Sequence, residues 1–103
     1  MQNQEELSPV ERRLLRVLPR GEQNARTWQE LRPVIPQIGS RRGFCDLVKA
    51  LRGKGYPIGA NRGKPPGYYY CETEEEKQKV VAVYLAQAKS EYKIAKKLLH
   101  AEI

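Results

Sequence analysis

The chain has few of the residues that build metal sites, disulfide scaffolds or membrane spans. Its 103 residues include two cysteines and one histidine, too few for a zinc quartet or a disulfide framework. Cys45 and Cys71 are therefore expected to be small, buried apolar side chains in a reducing compartment. No apolar run approaches the roughly 20 residues that cross a bilayer, and the polar start M-Q-N-Q-E-E is unlike a secretory signal. We therefore expect a cytoplasmic protein that does not contact a membrane.

Groups that could form a catalytic site are also scarce. Ser8, Ser40 and Thr73 stand where helix caps are expected, and Ser90 has no evident partner. His100 stands alone near the end of the chain. The sequence contains neither a carboxylate pair nor a phosphate-binding glycine motif. It therefore predicts no enzymatic activity, no cofactor and no small-molecule substrate.

Positive charge, in contrast, is abundant. The chain carries 19 lysines and arginines against 12 acids, a net charge of +7, which favours a polyanionic partner. The excess is uneven, because residues 1–72 hold a net +6 and residues 73–103 a net +1. A chain of this length suits one small domain. We therefore expect its first part to carry the binding surface.

Two capping boxes predict the first two helices. In this motif a Ser or Thr side chain and a Glu three residues later cap each other's backbone. S-P-V-E predicts a helix from Pro9, and T-W-Q-E predicts one from Trp28. Pro33 and Pro36 should make the second helix short or kinked, because proline removes a backbone donor and clashes with the preceding turn.

The segment 40–70 concentrates the positive charge of the chain. Ser40 should cap a third helix that ends at Gly53. Its apolar residues have the spacing of a core-facing stripe: Phe44, Leu47, Val48 and Leu51. Seven cationic side chains accompany one acid, Asp46: Arg41, Arg42, Lys49, Arg52, Lys54, Arg62 and Lys64. Asp46 is expected to hold Arg42 as its i,i+4 partner, and acceptance of a hydrogen bond from a cytosine amino group is the alternative.

A hairpin should follow the third helix. Aromatic and β-branched residues at 56–58 and 68–71 predict two strands. The intervening residues 59–67 include three glycines and two prolines, which predicts a shaped, exposed loop. Along the second strand the tyrosines should alternate between core and surface. Stacking of Tyr68, Tyr69 and Tyr70 on unpaired bases is a second interpretation.

A resemblance to a known family rests on this segment. The run L-R-G-K-G-Y-P-I-G-A-N-R-G-K-P-P-G-Y-Y is similar to the wing of biotin-repressor-type winged helix-turn-helix domains. Small bacteriophage-encoded winged helix proteins look closer still, since they add a long helix after the Gly-Tyr strand. The resemblance implies an α+β, mostly α fold over residues 8–72, with three helices and a β-hairpin wing. Residues 33–39 depart from it, because they are longer and richer in proline than the usual turn.

The resemblance also implies a function, that of a double-stranded DNA-binding protein. Its third helix would enter the major groove, and its wing would contact the minor groove or the backbone. The DNA-facing residues would be Arg41, Arg42, Cys45 and Lys49 on the helix, with Arg62 and Lys64 in the wing. The role implied is that of a transcriptional regulator or an accessory DNA-handling factor.

Residues 73–103 predict a fourth, long helix, whereas residues 1–7 are expected to be frayed. Apolar residues recur along the helix at alternating steps of four and three, a heptad seam: Val81, Leu85, Ala88, Tyr92, Ala95 and Leu99. The seam could form a homodimer or bind a protein partner, or the helix could fold back over the domain's own core. A protein-interaction module within a larger phage or DNA-processing assembly is therefore the alternative function.

Overall fold

The protein is an α+β, mostly helical domain with a two-stranded antiparallel sheet. The computed structural model describes residues 6–102, so most of the N-terminal segment predicted to be frayed lies outside the described residues. The helices are α1 (Pro9–Val17), α2 (Trp28–Leu31), α3 (Arg41–Gly53) and α4 (Glu74–Leu99), and the strands are β1 (Ile58–Asn61) and β2 (Gly67–Tyr70). Short 3-10 turns cover Glu22–Asn24 and Arg32–Val34.

The predicted helix starts are confirmed by their caps. At α1 the Glu11 amide donates to the Ser8 hydroxyl over 3.2 Å, and the Ser8 amide donates to the Glu11 carboxylate over 2.7 Å. Thr27 and Glu30 form the same reciprocal pair at α2. The second helix is short, as predicted. Its α-helical part ends at Leu31, and the chain continues through Pro33 as a 3-10 turn.

The first strand differs from its prediction. It begins at Ile58, because Pro57 has no amide to donate, and it extends to Asn61, so the connecting loop covers only residues 62–66. Gly59 pairs with Tyr69, and a Cβ at Gly59 would stand 2.2 Å from the Tyr69 ring. The glycine interpreted as a loop residue is therefore a strand residue over which an aromatic ring packs.

The segment between α1 and α2 lines the free edge of β2. The Tyr70 amide donates to the Pro19 carbonyl over 2.8 Å, and the Tyr68 amide donates to the Arg26 carbonyl over 2.7 Å. Gly67 has a φ of +121°, and a Cβ there would overlap the Arg26 carbonyl carbon at 2.1 Å. The hairpin is therefore joined to the body of the domain along its whole second strand.

One hydrophobic core lies between α1, α2, α3 and the hairpin. Its buried members are Leu14, Leu18, Trp28, Leu31, Ile35, Phe44, Val48, Leu51 and Ile58. A smaller cluster on the other side of β2 joins Ala25, Tyr69 and Cys71 to the half-buried Val80 of α4. Cys71 is buried as predicted. The prediction for Cys45 is wrong, because Cys45 follows the buried Phe44 on the outward side of α3 and is exposed.

The long helix α4 is attached to the domain only by its first turns. Glu76 is buried and accepts the backbone amides of Glu22 over 2.9 Å and Glu72 over 2.7 Å. Every residue from 81 to 102 is exposed, so this part of the helix does not fold back over the core. Among residues 6–102, no helix combines the length and apolar character that crossing a membrane requires.

Candidate nucleic-acid interface

The outward side of α3 presents the side chains that the sequence predicts there. The helix begins at Arg41 because the Ser40 hydroxyl accepts the Gly43 amide over 3.0 Å. Phe44, Val48 and Leu51 are buried on the inner side. The same turns expose the predicted site residues to solvent, namely Arg41, Arg42, Cys45 and Lys49. Helical periodicity thus separates the core contacts of α3 from a charged surface.

The loop of the hairpin is braced by its own first strand. The Asn61 side-chain amide donates to the Pro65 carbonyl over 2.8 Å, and the Asn61 carbonyl oxygen accepts the Gly63 amide over 3.1 Å. Arg62 and Lys64 lie in this braced loop, and both are exposed. Two hydrogen bonds from one side chain therefore define the shape of the loop that carries these cations.

Arg41 of α3 and Arg62 of the hairpin line the same cleft. Its volume is about 430 Å³, and Trp28 at the start of α2 and Tyr68 of β2 also line it. The guanidinium group of arginine binds phosphate and planar hydrogen-bond acceptors, and it carries its charge at any physiological pH. The cleft is thus a concave surface with cations contributed by both the helix and the hairpin.

The other predicted cations are exposed but do not line this cleft. Arg42 and Lys49 lie along α3, and Lys64 lies in the loop. Within residues 6–102 no salt bridge joins Arg42 to Asp46, so the predicted holding role of Asp46 is wrong. The Arg42 guanidinium is therefore not neutralised by its i,i+4 neighbour.

Two of the seven cations in the basic segment have structural roles instead. The Arg52 guanidinium donates to the Ile58 carbonyl over 2.7 Å and to the Tyr84 hydroxyl over 3.2 Å. Lys54 pairs with the buried carboxylate of Glu11 over 2.9 Å. The Ser8 amide and the Lys54 ammonium hold the pKa of Glu11 below its usual value. The exposed basic surface of this segment therefore consists of the other five cations.

The three tyrosines of β2 are occupied by contacts within the protein. Tyr68 packs edge-on against Phe44. The Arg20 guanidinium carbon lies over the Tyr70 ring, 4.3 Å from the ring centroid. Tyr69 is 2% exposed, and burial raises its pKa to about 12. The faces alternate as predicted, but the prediction of a surface tyrosine is wrong, because Tyr69, on the face opposite Tyr68 and Tyr70, is buried in the smaller cluster. This packing argues against the interpretation that the strand stacks unpaired bases.

Cys45 adds a polar contact between α3 and the hairpin. Its Sγ lies 3.9 Å from the Tyr68 hydroxyl oxygen, and either group can donate. Burial raises the pKa of Tyr68, and the neighbouring Cys45 thiol raises it further. The hydroxyl therefore stays neutral at physiological pH and can accept or donate a hydrogen bond beside the cleft.

Sequence reasoning missed two contributors to this surface. Asn61 was not singled out, although Asn two residues before Gly is typical of a turn in which the side chain accepts a backbone amide. Trp28 was interpreted as a core or inter-helix residue at a helix start, whereas besides packing in the core it also lines the cleft that Arg41 and Arg62 line. The position of Trp28 depends on how α2 packs against the hairpin, which no local pattern reveals.

The surface is exposed and positively charged, with arginine side chains contributed by both α3 and the hairpin. Within the described range 6–102, no three His, Cys, Asp or Glu side chains are grouped to hold a metal ion. Compared with known proteins, the chain matches no model of a protein family, no curated protein and no solved structure. The interpretation of the surface therefore depends on its own geometry and charge.

Proposed function

We propose that the protein binds double-stranded DNA through a winged helix-turn-helix arrangement. In this assignment α3 is the helix that enters the major groove, and the braced hairpin is the wing. The observation that carries the proposal is the cleft that Arg41 of α3 and Arg62 of the hairpin both line. Support comes from the element order, three helices followed by a hairpin, and from the excess positive charge of residues 1–72.

The cations of α3 and those of the hairpin loop would contact different parts of the DNA. An α-helix fits the major groove, and Arg or Lys there recognises guanine O6 and N7. Arg42 and Lys49 are exposed on α3 and are suited to this contact. Arg62 and Lys64, carried by the braced loop, are suited to the backbone or to a narrow minor groove. The protein would act without catalysis, as a cytoplasmic transcriptional regulator or an accessory DNA-handling factor.

Salt-dependent binding tests the proposal. Fluorescence anisotropy would compare a duplex with a single strand of the same sequence at several salt concentrations. We expect tighter duplex binding that weakens steeply with salt, because phosphate contacts release counterions. Arg41→Ala and Arg62→Ala should each lower the slope of log affinity against log salt by about 1 if the residue contacts a phosphate.

The matched control is Lys97→Ala, which removes one exposed positive charge from α4 rather than from the cleft. Its salt slope should stay at the wild-type value. Equal losses in Lys97→Ala and in the two arginine variants would mean that binding depends on net charge alone. Absence of duplex binding at low salt would overturn the proposal.

A second candidate function is that of a protein-interaction module. The specific observation in its favour is the exposure of every residue from 81 to 99 on a continuous helix. A DNA-binding domain does not need such a helix.

A further inference from the structure

Most of the exposed large apolar side chains in residues 6–102 lie on α4. Eight of the nine belong to this helix: Val81, Val83, Tyr84, Leu85, Tyr92, Ile94, Leu98 and Leu99. Their exposed fractions run from 37% at Val81 to 79% at Leu99. Six of the eight, all but Val83 and Ile94, lie along one side of the helix, and an exposed apolar stripe of this kind is typical of an interaction surface. A partner is therefore needed to cover it.

The order of large and small residues along the seam indicates what that partner is. Leu85, Tyr92 and Leu99 alternate with Val81, Ala88 and Ala95. In a parallel pair of helices identical positions meet, so layers of two tyrosines would alternate with layers of two alanines. In an antiparallel pair each large residue meets a small one, which fills space evenly. The seam is therefore complementary to a reversed copy of itself.

We propose that two copies of this chain pair through α4 as an antiparallel coiled coil. In the register that uses every seam residue, Leu85 packs against Ala95 of the second copy and Tyr92 against its Ala88. Leu99 then packs against Val81 of the second copy. The two-fold axis passes beside Ser90. Tyr84 and Leu98, 40% and 69% exposed, become neighbours on one flank and extend the apolar contact.

A cleft at the base of α4 supports this register. Its volume is about 300 Å³, and it lies where the helix leaves the domain. The apolar residues that line it are Tyr56, Pro57, Val80, Val81, Tyr84 and Leu85. Val81 and Leu85 are seam residues, so the seam opens into the cleft. The register brings Leu99 of the second copy to this end of the helix, where the cleft can receive its side chain.

The charges along α4 also favour the antiparallel orientation. The helix begins with Glu74, Glu75 and Glu76, and Lys93, Lys96 and Lys97 lie near its end. Antiparallel pairing opposes the two helix dipoles and places the lysine-rich ends of the two helices at opposite ends of the pair. Parallel pairing would bring the lysine-rich ends together, where they repel. Charge and side-chain size therefore select the same orientation.

Measurement of mass tests the dimer. Light scattering over a range of protein concentrations should give twice the 11.9 kDa of one chain. Tyr92→Asp should give the mass of one chain, because it places a charge in the centre of the seam. Ile94→Asp is the matched control, since Ile94 is 56% exposed against 66% for Tyr92. It lies about 160° around the helix from Tyr92 and should leave the dimer intact.

A monomer mass for the wild type at every concentration would overturn the proposal, as would an intact dimer in Tyr92→Asp. Both side chains are exposed in the monomer, so neither variant disturbs the core. The dimer does not depend on DNA binding, and Arg41→Ala should leave the mass unchanged. Failure of DNA binding and failure of dimerisation are thus separate results.

Disulfide trapping tests the orientation. In a background of Cys45→Ala and Cys71→Ala, Glu91→Cys should form a covalent dimer on oxidation, because residue 91 lies beside the two-fold axis. Leu99→Cys should not, because antiparallel pairing holds its two copies about 27 Å apart. Cross-linking of Leu99→Cys without cross-linking of Glu91→Cys would show a parallel pair and overturn the register.

Discussion

At the scale of single residues, the hairpin depends on contacts between glycines and groups distant in sequence. Gly59 lies under the Tyr69 ring, and Gly67 lies against the backbone of Arg26. Neither role is visible locally, because each depends on a neighbour that only the folded chain supplies. The sequence therefore predicted that a hairpin would form but not where its first strand would run.

We expect Gly59→Ala to destabilise the domain. The new methyl group would overlap the Tyr69 ring, and overpacking of this kind costs about 1–3 kcal/mol of unfolding free energy. Gly53→Ala is the control, because nothing lies within 4 Å of a Cβ there. It should leave stability unchanged or raise it slightly. Urea denaturation followed by circular dichroism measures both, and equal stability of the two variants would contradict the proposed contact.

For some of the site residues exposure follows from the local sequence, whereas for others it depends on contacts with distant residues. The exposed positions Arg42 and Lys49 were predictable, because helical periodicity places them opposite Phe44 and Leu51, and Arg41 is exposed in the first turn of α3. Arg52 belonged to the same basic run, yet its side chain bonds to Ile58 and Tyr84 instead. Charge in a sequence identifies cations, but the fold determines which of them contact other parts of the protein.

At the scale of elements, helix starts were more predictable than strand bounds. Each start depends on a side chain and an amide three residues apart, as at Ser8 and Glu11, so the information is local. The direction of α4, in contrast, depends on residues distant in sequence. The heptad pattern was clear, but whether the helix folds back could not be predicted, because that depends on how its first turns pack at Glu76.

The attachment of α4 should depend on Glu76 and on pH. Glu76→Gln replaces one carboxylate oxygen with a donor, which leaves the amide of Glu22 or of Glu72 unsatisfied. We expect a loss of about 1–3 kcal/mol and faster hydrogen exchange at these two amides. Glu75→Gln changes an exposed neighbour and is the control. It should leave both the stability and the hydrogen exchange unchanged. Unchanged exchange in Glu76→Gln would contradict the anchoring role.

The pH dependence of this contact has a defined sign. The amides of Glu22 and Glu72 hold the pKa of Glu76 below its usual value. The stabilisation is therefore complete above the unfolded-state pKa of about 4.3 and is lost as the pH falls through the lower folded-state value. Wild type and Glu76→Gln should differ most in stability at neutral pH and converge in acid.

At the scale of the whole molecule, an antiparallel dimer would place the two domains at opposite ends of the coil. From the anchor at Glu76 to the axis beside Ser90 there are about 14 residues, so the attachment points lie about 40 Å apart at 1.5 Å per residue. Dimeric DNA-binding proteins contact half-sites about 34 Å apart, one turn of the duplex. The two attachment points are thus separated by a distance close to one turn of the duplex.

Binding of two domains to one duplex predicts a dependence on duplex length. Lengthening the duplex from about 12 to about 30 base pairs should raise the affinity of the wild type by at least tenfold beyond the gain from extra sites, because the second contact becomes intramolecular. Tyr92→Asp should show only the gain from extra sites. Anisotropy titrations measure both, and equal gains would contradict cooperation between the two domains.

Because α4 is one unbroken helix, it also fixes the direction in which the seam faces relative to the rest of the domain. From Glu74 to Leu99 the helix contains no glycine or proline, so the seam has one angle relative to α3. One residue inserted after Val80 would rotate the seam by about 100°. Seven inserted residues would return it to within about 20° of its direction and move it about 10 Å farther from the domain. Changes in the length of this helix should therefore be tolerated in steps of seven and not in steps of one.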